Sequence, residues 1–373
     1  MKKVFYIGGT NRLAQFAQDL LGTDKVNIKG YVSAKDVYEK ERFRGYPLIS
    51  AEKLKHEEYD FFLICEEMEY DRSDKRNIAL LECLSIMSMV ISPEYYLLRK
   101  TMLREMKMDT MGVNTGMSYV QRGLIYENIS VPFCMCAAPT QDLFYDFYTL
   151  ADASAKMAGR LKYVIMGLAP YSLRYDLSLS KANQNRSLYY FREFKEWHNL
   201  KMEQSETDRM TYYDEVMDEY ATSLWRDICF DILTDDPYHR VKDVFVFDKC
   251  DERKKEESLR TVHDLANKPY EASLEENKVI FEMYLKLCKK MDIRLIVLLP
   301  PFSIFFREHF PKNYIEEMRS IVRGFQKDYN FVFADMYEDP DFAEDKCYAD
   351  VDHLNAYGAE LLTRKVDALV EVA

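Results

Sequence analysis

Two short segments of the chain combine residue types that suit nucleophilic catalysis. The first is TGMSYVQRG, residues 115–123, which directly follows a short predicted strand and contains Ser118. A serine at a strand-to-helix turn exposes its hydroxyl at the end of a sheet, and its backbone N–H lies at a helix start, where developing negative charge is stabilised. Gly-x-Ser alone has low specificity, because most such serines are helix N-caps.

The second segment is ADVDHLNAYGAELL, residues 349–362. Asp350 and His353 are three residues apart, close to one helical turn, so the carboxylate can reach the imidazole and fix its tautomer. The other ring nitrogen is then presented to a nucleophile. In the alternative interpretation, Asp350 or Asp352 caps the last helix and His353 has no chemical role.

A third segment, VPFCMCAAPTQDLFYDF at residues 131–147, is predicted to contain a strand that ends in small residues. Small residues at that point allow a backbone N–H to approach a substrate oxygen, as an oxyanion hole requires. Ala137 and the region of Thr140 are the candidates. Tight packing below a helix cap explains the same pattern equally well.

The order of these segments resembles that of the SGNH (GDSL-like) hydrolase family. Gly116-Met-Ser118-Tyr stands where the family has its Gly-Asp-Ser-Leu block, and Asp350-Val-Asp-His353-Leu-Asn stands where it has its last Asp-x-x-His block. The chain looks in particular like SGNH-type proteins of bacterial surface-polysaccharide gene clusters and, distantly, like D-alanyl transfer proteins of teichoic acid synthesis. The resemblance covers about residues 108–373.

The resemblance implies acyl transfer on a glycan or glycan precursor, as an esterase, a deacetylase or an O-acyltransferase. Ser118 would attack an ester carbonyl, His353 would accept its proton and Asp350 would orient the ring. The polysaccharide biosynthesis enzymes are the partners that it suggests, and it requires no cofactor and no metal.

The chain also departs from the family pattern. Met117 replaces the usual Asp of the serine block, the Gly of the second block has no clear match, and the Asn of the third block is missing from residues 163–176, where Gly167 or Ser172 would have to supply a donor. These departures motivate an alternative from another class. In it, the domain is catalytically idle and the protein binds or organises a polysaccharide assembly complex.

The elements that must position these residues are predicted as two α/β domains, at residues 1–100 and 101–373. In the first, apolar runs at residues 3–8, 27–32, 60–65 and 86–91 alternate with helix-like stretches, which favours a small parallel sheet. The domain resembles the Rossmann-like N-terminal domain of bacterial sugar acyltransferases and nucleotide-sugar enzymes. Gly8 and Gly9 would place N–H groups where a phosphate can bind, although we expect the domain to organise or dock rather than bind a nucleotide.

The second domain is predicted as a three-layer α/β/α domain with a helical insertion at residues 181–270. Its strands are expected at residues 110–114, 131–137, 163–168, 295–299 and 331–334. A capping box at Ser273 and Glu276 predicts the start of one helix, whose buried face would carry Ile280, Met283, Leu287 and Met291. A final helix is predicted over residues 359–370.

Composition limits the possible partners. The 373 residues carry a net charge of -12, which argues against nucleic acid, because phosphate binding requires clustered Lys and Arg. No apolar stretch approaches the ~20 residues of a membrane span. The eight cysteines lack a C-x-x-C pair and lie partly in apolar runs, which favours free thiols and a cytoplasmic location.

Histidines and aromatic residues outside these motifs give weaker signals. His56, His198, His239, His263 and His309 lack metal-ligand spacing. Several aromatic side chains could line a sugar cleft, although core packing is the favoured interpretation; they are Tyr119, Phe144, Tyr145, Tyr171 and Tyr175.

Overall fold

The computed structural model describes residues 1–22, 24–33, 42–79, 109–180, 246–267 and 270–370, together with isolated positions between 187 and 244. The chain divides into two compact units, Met1–Leu98 with Leu188–Thr234 and Arg99–Ser187 with Asp235–Ala373. Each unit contains one mostly parallel sheet with helices, so the predicted α/β class is confirmed. The predicted boundary near residue 100 lies outside the described residues.

The first unit is built on a six-stranded sheet. Its strands are β1 (Lys3–Gly8), β2 (Val26–Ser33), β3 (Arg42–Phe43), β4 (Tyr46–Ser50), β5 (Phe61–Ile64) and β6 (Asn77–Ile78), and its short helices are α1 (Arg12–Leu20) and α2 (Ala51–Leu54). The order is β3-β4-β2-β1-β5-β6, with only the β3–β4 pair antiparallel among these strands. The predicted strand at residues 86–91 lies outside the described residues.

Both faces of this sheet are covered, as the apolar runs predicted. Phe5 and Ile7 of β1 belong to one buried cluster, whereas Tyr6 belongs to another. Successive side chains of a strand point to opposite faces, so a parallel strand buried on both faces needs an uninterrupted apolar run.

The second unit is built on a five-stranded parallel sheet. Its strands are β7 (Gly112–Thr115), β8 (Phe133–Met135), β9 (Tyr163–Gly167), β10 (Arg294–Leu299) and β11 (Val332–Asp335), so all five predicted strands are confirmed. They lie in the order β11-β10-β9-β7-β8. The strand order reverses between β7 and β9, which makes this position the topological switch point of the sheet. Ligands of open α/β sheets bind at such a point, outside the carboxyl ends of the strands.

Seven helices described in this unit accompany the sheet. They are α3 (Ser118–Gly123), α4 (Leu143–Met157), α5 (Glu252–Ala266), α6 (Leu274–Met291), α7 (Ile304–His309), α8 (Lys312–Phe325) and α9 (Ala356–Val370). Helix α4 packs against α6, and α3 packs against α9. Asp142 and Asp251 start α4 and α5, since their carboxylates accept the N–H groups of Tyr145 and Lys254.

The predicted insertion at residues 181–270 is described only in part. Helix α5 belongs to it and lies in the second unit, whereas residues 188–234 group with the first unit. Most of the segment lies outside the described residues, and its helical character there stays a prediction.

Two expectations for α6 are wrong. The side chain of Ser273 caps nothing, because the residue closes a 3-10 turn with helical dihedrals (φ -86, ψ -14) instead of the extended conformation of an N-cap. The buried face is also shifted, because Phe281 and Tyr284 fill the core and Met283 is 42% exposed. Large aromatic side chains therefore set the orientation of this helix.

Two further expectations from the composition concern the state of the cysteines and the apolarity of the helices. The cysteines in the described ranges form no disulfide; they are Cys65, Cys134, Cys136, Cys250, Cys288 and Cys347. None of the helices in the described part of the chain combines the length and the apolarity that crossing a bilayer requires.

Candidate active site

Ser118 lies directly after the tight turn that ends β7. Gly116 in this turn has a φ of 121°, and a Cβ there would lie 2.6 Å from the carbonyl oxygen of Gly167 at the end of β9. The Gly116 N–H donates to the Asp146 carboxylate at 2.7 Å. The turn is therefore held against β9 and α4, and Ser118 becomes the first residue of α3 at the point where the strand order reverses.

The structure brings the serine and histidine motifs together. The Oγ of Ser118 lies 2.9 Å from the Nε2 of His353, a hydrogen-bond distance between a hydroxyl and an imidazole. The N-cap position of α3 is occupied by Met117, without a side-chain cap. The hydroxyl of Ser118 therefore contacts the histidine and does not act as a cap.

His353 lies in a tight loop before α9. The loop is closed by a bridge between Tyr348 and Leu354, and the Ala349 N–H donates to the His353 carbonyl at 2.9 Å. The hydroxyl of Ser303, which follows β10, donates to the Val351 carbonyl at 2.5 Å. Contacts inside the loop and from the end of β10 thus fix the backbone that carries the imidazole.

Asp350 contacts the opposite nitrogen of the ring. Both of its carboxylate oxygens lie 3.1 Å from the Nδ1 of His353. One of them also accepts the backbone N–H groups of Asp352 and His353, at 3.0 and 2.7 Å. The last helix is capped instead by Asn355, whose Oδ1 accepts the Gly358 N–H at 3.0 Å, so the interpretation of either aspartate as its cap is wrong.

The carboxylates control the charge of the imidazole. Burial by itself lowers the pKa of His353, but Asp352 and Asp350 outweigh this effect and raise it to about 9. Burial also acts to raise the pKa of Asp350, whereas the charge of His353 lowers it well below its usual range. At neutral pH the pair is therefore an imidazolium beside a carboxylate, and the neutral imidazole that can act as a base forms at alkaline pH.

A pocket of about 390 Å³ opens at these residues. Its lining comes from the serine turn, the segments after β8 and β9, helix α5 and the histidine loop. It consists of Met117, Ser118, Tyr119, Thr140, Tyr171, Lys254, Glu257, Ser258, Thr261, Leu265, Asp350, Val351, Asp352 and His353. The five residues of α5 were missed by sequence reasoning. Lys254 belongs to a short basic run flanked by acids, a pattern typical of solvated surface.

The candidate oxyanion residues differ in their placement. Thr140 belongs to the described pocket lining, whereas Ala137, Gly167 and Ser172 do not. Gly167 allows close packing, since a Cβ there would lie 2.3 Å from Val120 Cγ1. The Ser172 hydroxyl accepts the N–H of Ala169 at 2.8 Å and stabilises its own turn.

Of the aromatic candidates, Tyr119 and Tyr171 lie in the pocket wall and are themselves buried. Tyr145 and Tyr175 are core residues, and Phe144 packs against Tyr145 and Tyr148. The pocket therefore has an aromatic wall of two tyrosines whose hydroxyls are 3.1 Å apart.

The glycine pair of the first unit faces a carboxylate. Gly9 has a φ of 100°, and a Cβ there would lie 2.7 Å from Glu66 Oε2. The same oxygen accepts the Thr10 N–H at 3.1 Å, and Asn11 caps α1 by accepting the Ala14 N–H at 2.9 Å. A negatively charged side chain thus occupies the turn where Gly8 and Gly9 were considered as a phosphate site, and a phosphate there would have to displace it.

Metal ligands are also conceivable at the histidine. Asp350, Asp352 and His353 each offer an atom within 4.8 Å of the others. The contacts of Nδ1 with carboxylates and of Nε2 with Ser118 already account for this cluster by hydrogen bonding, so the arrangement needs no ion.

Comparisons with known proteins give a distant structural similarity. No protein-family model matches the chain, and no curated protein matches it. A solved structure from Streptococcus pneumonia, described provisionally as a platelet activating factor, is similar over 78% of this chain and 99% of its own, with a TM-score of 0.39 and 7% sequence identity.

Proposed function

We propose that the chain performs serine-dependent acyl transfer on a glycan or glycan precursor of bacterial surface-polysaccharide biosynthesis. The proposal is supported by the continuous hydrogen-bonded triad in which Ser118 Oγ contacts Nε2 of His353 and Asp350 contacts Nδ1 of the same ring. In the same proposal the second unit is an SGNH-type three-layer domain, and the first unit is a Rossmann-like domain that organises or docks.

The strand orders support both fold assignments. The parallel strands of the first unit, numbered by their order along the chain, run 3-2-1-4-5, the order of a dinucleotide-binding sheet. Those of the second unit run 2-1-3-4-5, which places Ser118 at the switch point. Active sites of open α/β sheets lie at this point, and the pocket opens there.

In the proposed mechanism, the Oγ of Ser118 attacks an ester carbonyl while the Nε2 of His353 takes its proton. A C–O bond to the serine forms, the ester bond breaks, and the leaving alcohol receives the proton from His353. Water or a sugar hydroxyl then gives its proton to His353 and attacks the acyl-serine. The acyl–Oγ bond breaks, His353 returns the proton to Oγ, and the carboxylic acid or the acylated sugar leaves. General-base assistance of this kind contributes roughly 10²–10⁴ in rate.

Asp350 holds the imidazole with Nε2 towards the serine and stabilises the imidazolium. The Ser118 N–H, in the first turn of α3, has no partner within the helix and is positioned to bind the developing oxyanion. The glycan substrate, the polysaccharide biosynthesis enzymes as partners and the cytoplasmic location depend on the family resemblance and the composition.

The proposal is tested by turnover of a p-nitrophenyl ester. Ser118→Ala and His353→Ala should each remove nearly all turnover, and a covalent serine probe should label the wild type at Ser118. Ser154→Ala is a suitable control, because this buried hydroxyl on α4 has no partner among the described residues. Equal turnover in all four proteins would contradict the proposal.

One observation favours a second candidate, a catalytically idle binding or scaffolding component of a polysaccharide assembly complex. Three of the four candidate oxyanion residues, Ala137, Gly167 and Ser172, do not belong to the described pocket lining. Under this alternative the purified protein binds a surface glycan and no serine probe labels it. Labelling at Ser118 would reject it.

A further inference from the structure

His353 is in contact with a second carboxylate. Asp352 Oδ1 lies 3.2 Å from the Nδ1 of His353, almost as close as the two oxygens of Asp350 at 3.1 Å. A ring nitrogen carries one hydrogen, so the two acids compete for a single N–H donor.

The two acids differ in their exposure to solvent. The side chain of Asp350 is 44% exposed, whereas that of Asp352 is 7% exposed. The attraction between a carboxylate and an imidazolium strengthens as the surrounding dielectric falls. At similar distances, Asp352 is therefore the acid with the stronger effect on the ring.

Asp352 is also held in place independently of the histidine. The Tyr119 hydroxyl donates to its other oxygen, Oδ2, at 3.0 Å, and lies 3.1 Å from the Tyr171 hydroxyl. Burial raises the pKa of both tyrosines far above its ordinary value, so they remain neutral phenols. The donor from Tyr119 therefore fixes the direction of the Asp352 carboxylate.

Tyr119 contacts both His353 and Asp352. Its ring stacks on the imidazole, with centroids 5.0 Å apart and an interplanar angle of 24°. Tyr119 directly follows Ser118 on α3. The helix that carries the serine therefore also carries the residue that fixes the plane of the His353 imidazole and the position of the Asp352 carboxylate.

We propose that Asp352 is a second positioning residue for His353. The buried Asp352 carboxylate is fixed by the Tyr119 hydroxyl and shares the Nδ1 proton of His353 with Asp350. The catalytic consequence depends on the proposed function, whereas the positioning itself does not. Because two acids hold the ring, removal of either leaves the other in contact with Nδ1.

The charged and titratable groups around the imidazole come from four elements. The loop contributes Asp350 and Asp352, α3 contributes Tyr119, the segment after β9 contributes Tyr171, and α5 contributes Lys254 and Glu257 at the pocket wall. Only the two aspartates are within 3.2 Å of Nδ1 among the described residues.

The first test measures the imidazole directly and needs no substrate. The His353 C–H resonance is followed by NMR against pH, with His353→Ala for assignment, in the wild type, Asp350→Asn and Asp352→Asn. Removing an anion in contact with an imidazolium lowers its pKa by about one unit or more. We expect the decrease in Asp352→Asn to equal or exceed that in Asp350→Asn, and an unchanged titration in Asp352→Asn would overturn the proposal.

The second test uses kcat. Asp350→Asn and Asp352→Asn should each lower kcat by about tenfold or more, and the double variant should approach the ~10⁴-fold loss expected when the acid of a triad is removed. Loss confined to Asp350→Asn, with kcat and pH profile unchanged in Asp352→Asn, would overturn the proposal. If Ser118→Ala and His353→Ala keep full turnover, the proposed function fails, and the NMR titration still decides the role of Asp352.

Tyr119→Phe provides an answer even if Asp352→Asn does not fold. It removes only the hydroxyl that holds Asp352 and keeps the stacked ring. The His353 pKa should change in this variant and remain unchanged in the control Tyr337→Phe. The control removes a hydroxyl that has no hydrogen-bond partner in the described structure. Identical titration of wild type and Tyr119→Phe would contradict the proposal.

Discussion

The Oγ of Ser118 lies 2.9 Å from the Nε2 of His353, although the two residues are 235 positions apart in the chain. Packing of α3 against α9 brings them together. The Ile125 N–H, just after α3, donates to the Thr363 hydroxyl of α9 at 2.8 Å. A Cβ on Gly123 would lie 3.2 Å from Leu362 Cδ2. The serine–histidine contact is therefore supported by close helix packing.

The first prediction concerns the pH dependence of turnover. His353 must be neutral to accept the proton of Ser118, and its pKa is raised to about 9 by the carboxylates that outweigh its burial. The base form is scarce at neutral pH and predominates above the pKa, so kcat/KM should rise with pH and level off above about 9. The check is a pH–rate profile corrected for spontaneous hydrolysis. A profile that is flat between pH 6 and pH 10 would contradict the assignment of His353 as the base.

The second prediction concerns stability and pH. The folded-state pKa of His353 is above the ordinary value of 6.5, so folding favours its protonated form. The stabilisation is fully present below about pH 6.5 and is lost as pH rises through about 9. A shift of this size corresponds to about 3 kcal/mol. It is measured as the difference in unfolding free energy between wild type and His353→Gln.

The comparison isolates the titration of His353, because groups that do not contact His353 titrate alike in both proteins. The difference between wild type and His353→Gln should therefore shrink by that amount from pH 6 to pH 10. A constant difference over this range would show that the imidazole is not paired with the two carboxylates.

The motif residues and the strands could be predicted because their signals are local. Ser118, Asp350 and His353 lie together as the short spacings within each motif suggested. Likewise, β10 follows from the uninterrupted apolar run at residues 295–299, which is typical of a parallel strand buried on both faces. Their catalytic role remains a prediction.

Residues whose role depends on tertiary contacts could not be assigned in this way. Asp352 was considered only as a helix cap, because its contact with Tyr119 joins segments 233 positions apart. Lys254 and Glu257 reach the pocket only through the placement of α5, which no local pattern specifies. Ser273 satisfies the capping-box pattern, yet the preceding turn gives it helical dihedrals.

The third prediction concerns the contact between the end of β9 and α3. Gly167→Ala would place a methyl group 2.3 Å from Val120 Cγ1, and overpacking of this kind costs about 1–3 kcal/mol. Val120→Ala removes both Cγ atoms, so Gly167→Ala should cost less in that background than in the wild type. Urea unfolding of the four proteins in the cycle gives the coupling.

Gly324→Ala is the control for this cycle. A Cβ on Gly324 in α8 meets no atom within 4 Å, and alanine favours a helix over glycine by about 1 kcal/mol. This substitution should be neutral or stabilising. Strict additivity of Gly167→Ala and Val120→Ala would mean that β9 and α3 do not meet as described.

The fourth prediction compares two tyrosines that differ in the pairing of their hydroxyls. The Tyr348 hydroxyl donates to the Phe342 carbonyl at 3.0 Å, whereas the Tyr337 hydroxyl is buried without a partner among the described residues. Leaving a buried polar group unpaired costs about 1–3 kcal/mol. Tyr348→Phe creates this cost at the Phe342 carbonyl, and Tyr337→Phe removes it.

The same chemical change should therefore have opposite effects on the free energy of unfolding. Tyr348→Phe should lower it by about 1–2 kcal/mol, and Tyr337→Phe should leave it unchanged or raise it by up to about 1 kcal/mol. Each substitution keeps the aromatic ring, which at Tyr337 contacts Phe302 and the Arg319 guanidinium. Urea midpoints at one pH provide the comparison. If both variants lost equal stability, a hydrogen bond to the Tyr337 hydroxyl would have to exist in solution, and the pairing around the loop that carries His353 would need revision.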